Sequence, residues 1–175
     1  QYCQSFKPDE WGTTSSTDVW FPNIYFCGTT NLIQAISYFG SILMWSIETL
    51  FQVTYIPAAT GSPVGSLTSR TLMNNISLLS KYCVVQYNQN IYWIGNGIFY
   101  VFNGTVGRLD NYMNASWFFD NLNQSAKSKC FITINYQFDE IWYFYARILD
   151  KEAYAQDPTL YSECNAVIIH NVGRN

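Results

Sequence analysis

A chain of 175 residues is long enough for one domain with a full core. Charged residues make up 12% of it and the net charge is −3, so no basic stripe is on hand to neutralise phosphates, and nucleic acid is excluded as a partner. The longest apolar stretch, Tyr38 to Phe51, is interrupted by Ser41, Ser46 and Glu48, and the chain reads as not membrane-spanning.

Residues 1–26 carry aromatics but no sustained period, and read as an N-terminal arm ahead of one domain over 27–175. From Ser41 the pattern alternates. Leu43, Trp45, Ile47, Phe51, Val53 and Tyr55 fall on every second position with Thr49 as the one gap, which predicts a long strand ended by Pro57. Ala58 to Ser69 is small, polar and punctuated by Gly and Pro, and reads as a loop. Leu72, Ile76 and Leu79 then sit at helical spacing. Strand signals follow over Tyr82 to Tyr87, Ile91 to Ile94 and Ile98 to Phe102, the last two joined by Asn96-Gly97, a dipeptide suited to a tight hairpin. Asn103-Gly104 leads to another strand over Thr105 to Leu109. Trp117 to Phe119, Cys130 to Phe138 and Ile141 to Ile148 complete the set, the last two flanking a turn at Asp139-Glu140. Asp150 then caps a short helix through Lys151 to Ala155, bounded by Pro158. Short, evenly spaced strands of this kind predict a mainly β, antiparallel meander, closed as an up-and-down barrel or folded as a sandwich.

The five cysteines are Cys3, Cys27, Cys83, Cys130 and Cys164, and the Asn-x-Ser/Thr sequons start at Asn75, Asn103, Asn114 and Asn123. Together they point to a secreted, extracellular glycoprotein carrying N-glycans. A first residue that is Gln rather than Met fits a chain whose export signal has been removed. An odd cysteine count leaves one sulfur over. Cys3 on the arm is the candidate for an intermolecular bridge, in a homo-oligomer or polymer; a Cys3–Cys27 pair, leaving a different sulfur free, is the alternative.

The run Ile141-Trp142-Tyr143-Phe144-Tyr145-Ala146-Arg147 before a short helix, the preceding Cys130-Phe131-Ile132-Thr133-Ile134, and Tyr38-Phe39-Gly40 after Cys27 together resemble the lipocalin superfamily over roughly residues 27–164. The resemblance implies a closed up-and-down β-barrel with a short C-terminal helix. The cysteine order of its apolipoprotein D-like and bilin-binding members implies disulfides Cys27–Cys130 and Cys83–Cys164. It also implies that Arg147 closes the barrel floor against an aromatic ring. The chain departs from the family where Gly-x-Trp becomes Gly40-Ser41-Ile42, with Trp45 three residues late, and in a long insertion over Pro57 to Ser80.

Chemistry-bearing patterns are few. His170 is the one histidine, no Gly-x-Ser-x-Gly elbow occurs, and no Cys-x-x-Cys pair is present, so an enzyme, a metal site and a cofactor are not expected. Asp139-Glu140 reads as a solvated turn. The aromatics are the stronger signal. Leu43, Trp45 and Ile47 on one strand and Ile98, Tyr100 and Phe102 on another would line an apolar cup if both faced into a barrel. Two functions compete on this reading. One is a secreted lipocalin-like carrier of a small hydrophobic molecule. The other is an extracellular structural subunit that self-assembles through its N-terminal arm and Cys3, helped by its scarce charge.

Overall fold

A computed structural model describes residues 3–4, 7–11, 18–19, 31–57, 66–109 and 115–174. The chain packs as two units, Gln1–Asn75 and Ile76–Asn175.

The N-terminal unit holds β1 (Cys3–Gln4), β2 (Lys7–Trp11) and β3 (Asp18–Val19), paired with one another in the order β2-β1-β3. It also holds a four-stranded meander of β4 (Leu32–Tyr38), β5 (Ser41–Ser46), β6 (Thr49–Ile56) and β7 (Ser66–Asn74), antiparallel and in sequence order. The long strand expected over Ser41 to Tyr55 is therefore a hairpin. Its turn falls at Ile47-Glu48, just ahead of Thr49, where the alternation skips. Ser46 makes the reversal possible: its Oγ accepts from the Thr49 amide at 3.0 Å and donates to the Thr49 carbonyl at 3.1 Å. Tyr38-Phe39-Gly40 is a second hairpin, with positive φ at Phe39 (43°) and Gly40 (75°) that suits a primed two-residue turn. Leu72 belongs to β7, and no helix forms over 72–79.

The C-terminal unit contains two further meanders. β8 (Val84–Tyr87), β9 (Asn90–Ile94), β10 (Phe99–Phe102) and β11 (Val106–Arg108) pair in the order β11-β10-β9-β8. After α1 (Ala115–Asn121) and a 3-10 segment (Gln124–Lys129), β12 (Phe131–Asn135) and β13 (Glu140–Tyr145) form a hairpin. α2 (Lys151–Gln156) intervenes, and β14 (Ala166–Asn171) returns to pair with β13. Trp117 to Phe119, expected as a strand, is helical. The α2 helix starts where the sequence placed it, with Asp150 Oδ1 accepting from the Glu152 and Ala153 amides at 2.9 and 3.0 Å.

The protein is mainly β, but the barrel is not formed. Among the described residues each ladder stops after three or four strands, and the sheets are open and separate. Strands within a meander are joined mostly by tight turns, whereas the passages from β7 to β8 and from β11 to β12 are longer. Beside β12, the Ile132 amide donates to the Tyr82 carbonyl at 3.0 Å, just ahead of β8, without starting a ladder.

The core of the C-terminal unit lies between its two meanders. From the β8–β11 sheet come Tyr87, Tyr92, Ile94 and Phe99; from the β12–β14 sheet come Ile132, Ile141, Tyr143 and Tyr145; Phe118 of α1 completes it. Phe99 is the hub, with its ring 5.0 Å from Phe118 and 5.2 Å from Tyr143, both edge-on. Gly95 permits a close approach at the end of β9: a Cβ there would sit 2.7 Å from the Tyr100 ring and 3.0 Å from the Ser77 carbonyl.

Candidate functional site

The residues expected to line a barrel fall on two strands of different sheets. Leu43 and Trp45 are buried on β5, but Ile47 lies in the turn and is 50% exposed. Tyr100 and Phe102 are buried on β10, with Ile98 one residue ahead of the strand and half-buried. β5 and β10 belong to different sheets, and no closed barrel is formed among the described residues.

The cysteine pairing carried over from the resemblance is also not formed where it can be seen. Cys83, Cys130 and Cys164 are unbridged thiols. Cys27 lies outside the described residues, as do the side chain of Cys3 and the sequon at Asn114. Ser80 Oγ donates to the Cys130 carbonyl at 2.6 Å and lies 3.3 Å from Cys83 Sγ. Burial pushes the Cys83 thiol up to about 12 and the Cys130 thiol to about 11, so both stay protonated at neutral pH and are poor nucleophiles. Asn123 is closed to a glycan in this fold. Its Nδ2 donates to the Leu160 and Tyr161 carbonyls, and its Oδ1 accepts from the Ser125 amide and the Tyr154 hydroxyl. Asn75 and Asn103 are exposed. Arg147 does meet an aromatic: its guanidinium lies 4.6 Å over the Trp117 ring.

One surface stands out, the outer face of the β12–β14 sheet. After Glu140, β13 reads Ile141-Trp142-Tyr143-Phe144-Tyr145, an unbroken apolar and aromatic run on both sides of the strand. Ile141, Tyr143 and Tyr145 fill the core, so Trp142 and Phe144 face the other way. Register sets neighbours beside them: Phe131 and Val167 flank Phe144, and Thr133 and Ile169 flank Trp142. The Phe131 and Phe144 rings stack 4.7 Å apart at 8°. Ile169 is 49% exposed, and Phe131 and Val167 are nearly as open. A third row, Asn135, Glu140 and Asn171, is polar. Within it Glu140 Oε2 accepts from Trp142 Nε1 at 2.9 Å.

The polar row runs into a cavity of about 380 Å³ lined by Phe138, Asp139, Glu140, Asn171 and Gly173. Asp139, at φ 55°, anchors the turn: its carbonyl accepts from the Val172 amide at 2.9 Å, and its carboxylate accepts from the Tyr87 hydroxyl. That hydrogen bond raises the pKa of Tyr87. The Asp139 carbonyl and Oδ1 are thus engaged in fixing the turn.

The unit also buries polar groups without partners. Tyr143 Oη and both nitrogens of His170 make no hydrogen bond. Tyr92 meets His170 edge-on at 5.7 Å. Desolvation lowers the pKa of His170 and raises that of Tyr143, so both are neutral near pH 7. Among the described residues no cluster of His, Cys, Asp or Glu is arranged to hold a metal ion. No helix of the described residues is long and apolar enough to cross a membrane.

The sequence signal for this face is the Ile141 to Tyr145 run itself, since a strand segment that is apolar on both sides is built to be covered on both faces. No family model and no curated protein matches the chain.

Proposed function

We propose that this chain is a non-catalytic structural module that assembles through sheet faces. The observation that carries the reading is the outer face of the β12–β14 sheet, a hydrogen-bonded platform on which Phe131, Val167 and Ile169 are exposed around the half-buried Trp142 and Phe144. Large contiguous apolar surface of this kind marks interaction sites on proteins. Scarce charge supports it, since a chain with 12% charged residues and net charge −3 repels its neighbours weakly. Carriage of a small ligand inside a barrel is set aside with the barrel.

Sedimentation of the purified chain across a wide dilution series tests the reading. Mass that rises with concentration is the expected result, and a monomer throughout overturns it. If the chain is exported through a glycosylating compartment, sugar is expected at exposed Asn75 and Asn103 and absent from buried Asn123, which peptide mass mapping reads directly.

A further inference from the structure

The two meanders of the C-terminal unit repeat one pattern. In the first, Ile91-Tyr92-Trp93-Ile94 lies in the second strand, and Phe102-Asn103 leads through Gly104-Thr105 to Val106-Gly107-Arg108. In the second, Ile141-Trp142-Tyr143-Phe144 lies in the second strand, and His170-Asn171 leads straight to Val172-Gly173-Arg174. The ladders agree with the sequences. Val85 pairs with Tyr92 as Thr133 pairs with Trp142, and Ile91 pairs with Phe102 as Ile141 pairs with His170. A pattern that recurs in this way marks stacked repeats, in which each unit buries its faces against its neighbours.

Register then says which face meets which. The first repeat enters the shared core with Val85, Tyr92, Ile94 and Phe99, and the second receives it on Ile132, Ile141, Tyr143 and Ile168. These are opposite sides of the pattern. Ile141 and Tyr143 correspond to Ile91 and Trp93, which are fully buried on the far side of the first repeat. The residues of the second repeat that correspond to Val85, Tyr92, Ile94 and Phe99 are Thr133, Trp142, Phe144 and Val167, and they make up the uncovered outer face. The stack is head-to-tail, and the side left open is the one that the first repeat uses to meet its successor.

Resting on the assembly reading above, we propose that the outer β12–β14 face is the docking site for a further meander of this repeat, which presents the side equivalent to Ile141 and Tyr143. The occupant is a sheet whose second strand carries isoleucine and an aromatic residue two positions apart, as both repeats do at Ile91 and Trp93 and at Ile141 and Tyr143. The C-terminal unit of a second copy does not supply that side, because Ile91, Trp93, Ile141 and Tyr143 are all buried within it. Two such units meet only outer face to outer face, and that is the association that sedimentation reads.

Lengthening the full chain tests this. A copy of residues 110–175 is joined after Asn175, the position that matches Leu109 in the repeat. Phe131→Thr, Phe144→Thr, Val167→Thr and Ile169→Thr, in the copy alone, give it the polar outer face of a terminal repeat. The parent chain is expected to gain mass with concentration, and the lengthened chain to sediment as a monomer. Trp142 and Phe144 of the original repeat are expected to lose side-chain labelling even at the lowest concentration. Adding Ile141→Asp to the copy spoils its receiving side and is expected to restore both labelling and association. Should the copy fail to fold, residues 82–109, the first repeat itself, replace its meander behind the same connection, and labelling alone is read. A parent chain that stays monomeric overturns the assembly reading. An outer face that stays labelled in both lengthened chains overturns this inference, whatever the parent does.

Discussion

The β8–β11 and β12–β14 meanders are built alike and end in different surroundings. Both are antiparallel, both carry apolar residues on the two sides of their strands, and they share one core. The first has both sides buried, whereas the second has Phe131, Val167 and Ile169 in solvent on one side. Composition does not make the difference, because Trp142 and Phe144 are as apolar as the Trp93 and Phe102 of the other sheet. A strand segment that is apolar on both sides, such as Ile141 to Tyr145, states how many faces are to be covered, and where the chain covers only one, the other is a surface for something else.

The contrast breaks most sharply at Phe99. Phe99→Ala removes the ring between the two meanders and is expected to cost about 3–5 kcal/mol, read by chemical denaturation. Phe131→Ala on the outer face loses only a cross-strand ring pair and is expected to cost about 1 kcal/mol or less, while weakening assembly. Equal losses of stability at the two positions would erase the distinction between core and interface. A smaller effect of opposite sign is expected at Tyr143. Tyr143→Phe deletes a buried hydroxyl that has no partner and is expected to raise stability by roughly 1 kcal/mol; a loss of stability would mean that the hydroxyl is satisfied.

The subtlest test is pH. Burial holds the pKa of His170 below its ordinary value, so in the window below the ordinary histidine pKa the unfolded chain binds more protons than the folded one. Stability therefore falls as pH drops from about 6.5 and stops falling, for this group, below the folded pKa. Replacing His170 with Leu is expected to flatten that slope in denaturation midpoints collected across the window. A slope unchanged by the substitution would place the dependence elsewhere.

Much of the local structure was legible. Asn96-Gly97 and Asn103-Gly104 mark real turns, Asp150 caps a real helix, the strand expected over Ile91 to Ile94 is β9, and the one expected over Ile141 to Ile148 forms but stops at Tyr145. What misled was closure. Tyr38-Phe39-Gly40 looked like the entry to a barrel strand but is a hairpin turn, and the skip at Thr49 was a reversal rather than an irregularity in one strand. Period and propensity act over a few residues. Whether a ladder closes depends on contacts far apart in sequence, such as Phe118 entering the core from a helix between two sheets. The outer face was hidden for a related reason. Periodicity assigns sides to a strand only when polar residues mark one of them, and β13 has none between Ile141 and Tyr145.

Side-chain footprinting of the native chain at low and high concentration tests the central claim most directly. The account predicts that Phe131, Trp142, Phe144, Val167 and Ile169 lose labelling as the mass rises, while the buried side chains of the β8–β11 sheet remain unlabelled throughout. Labelling of the outer face that stays constant while the mass increases would contradict it.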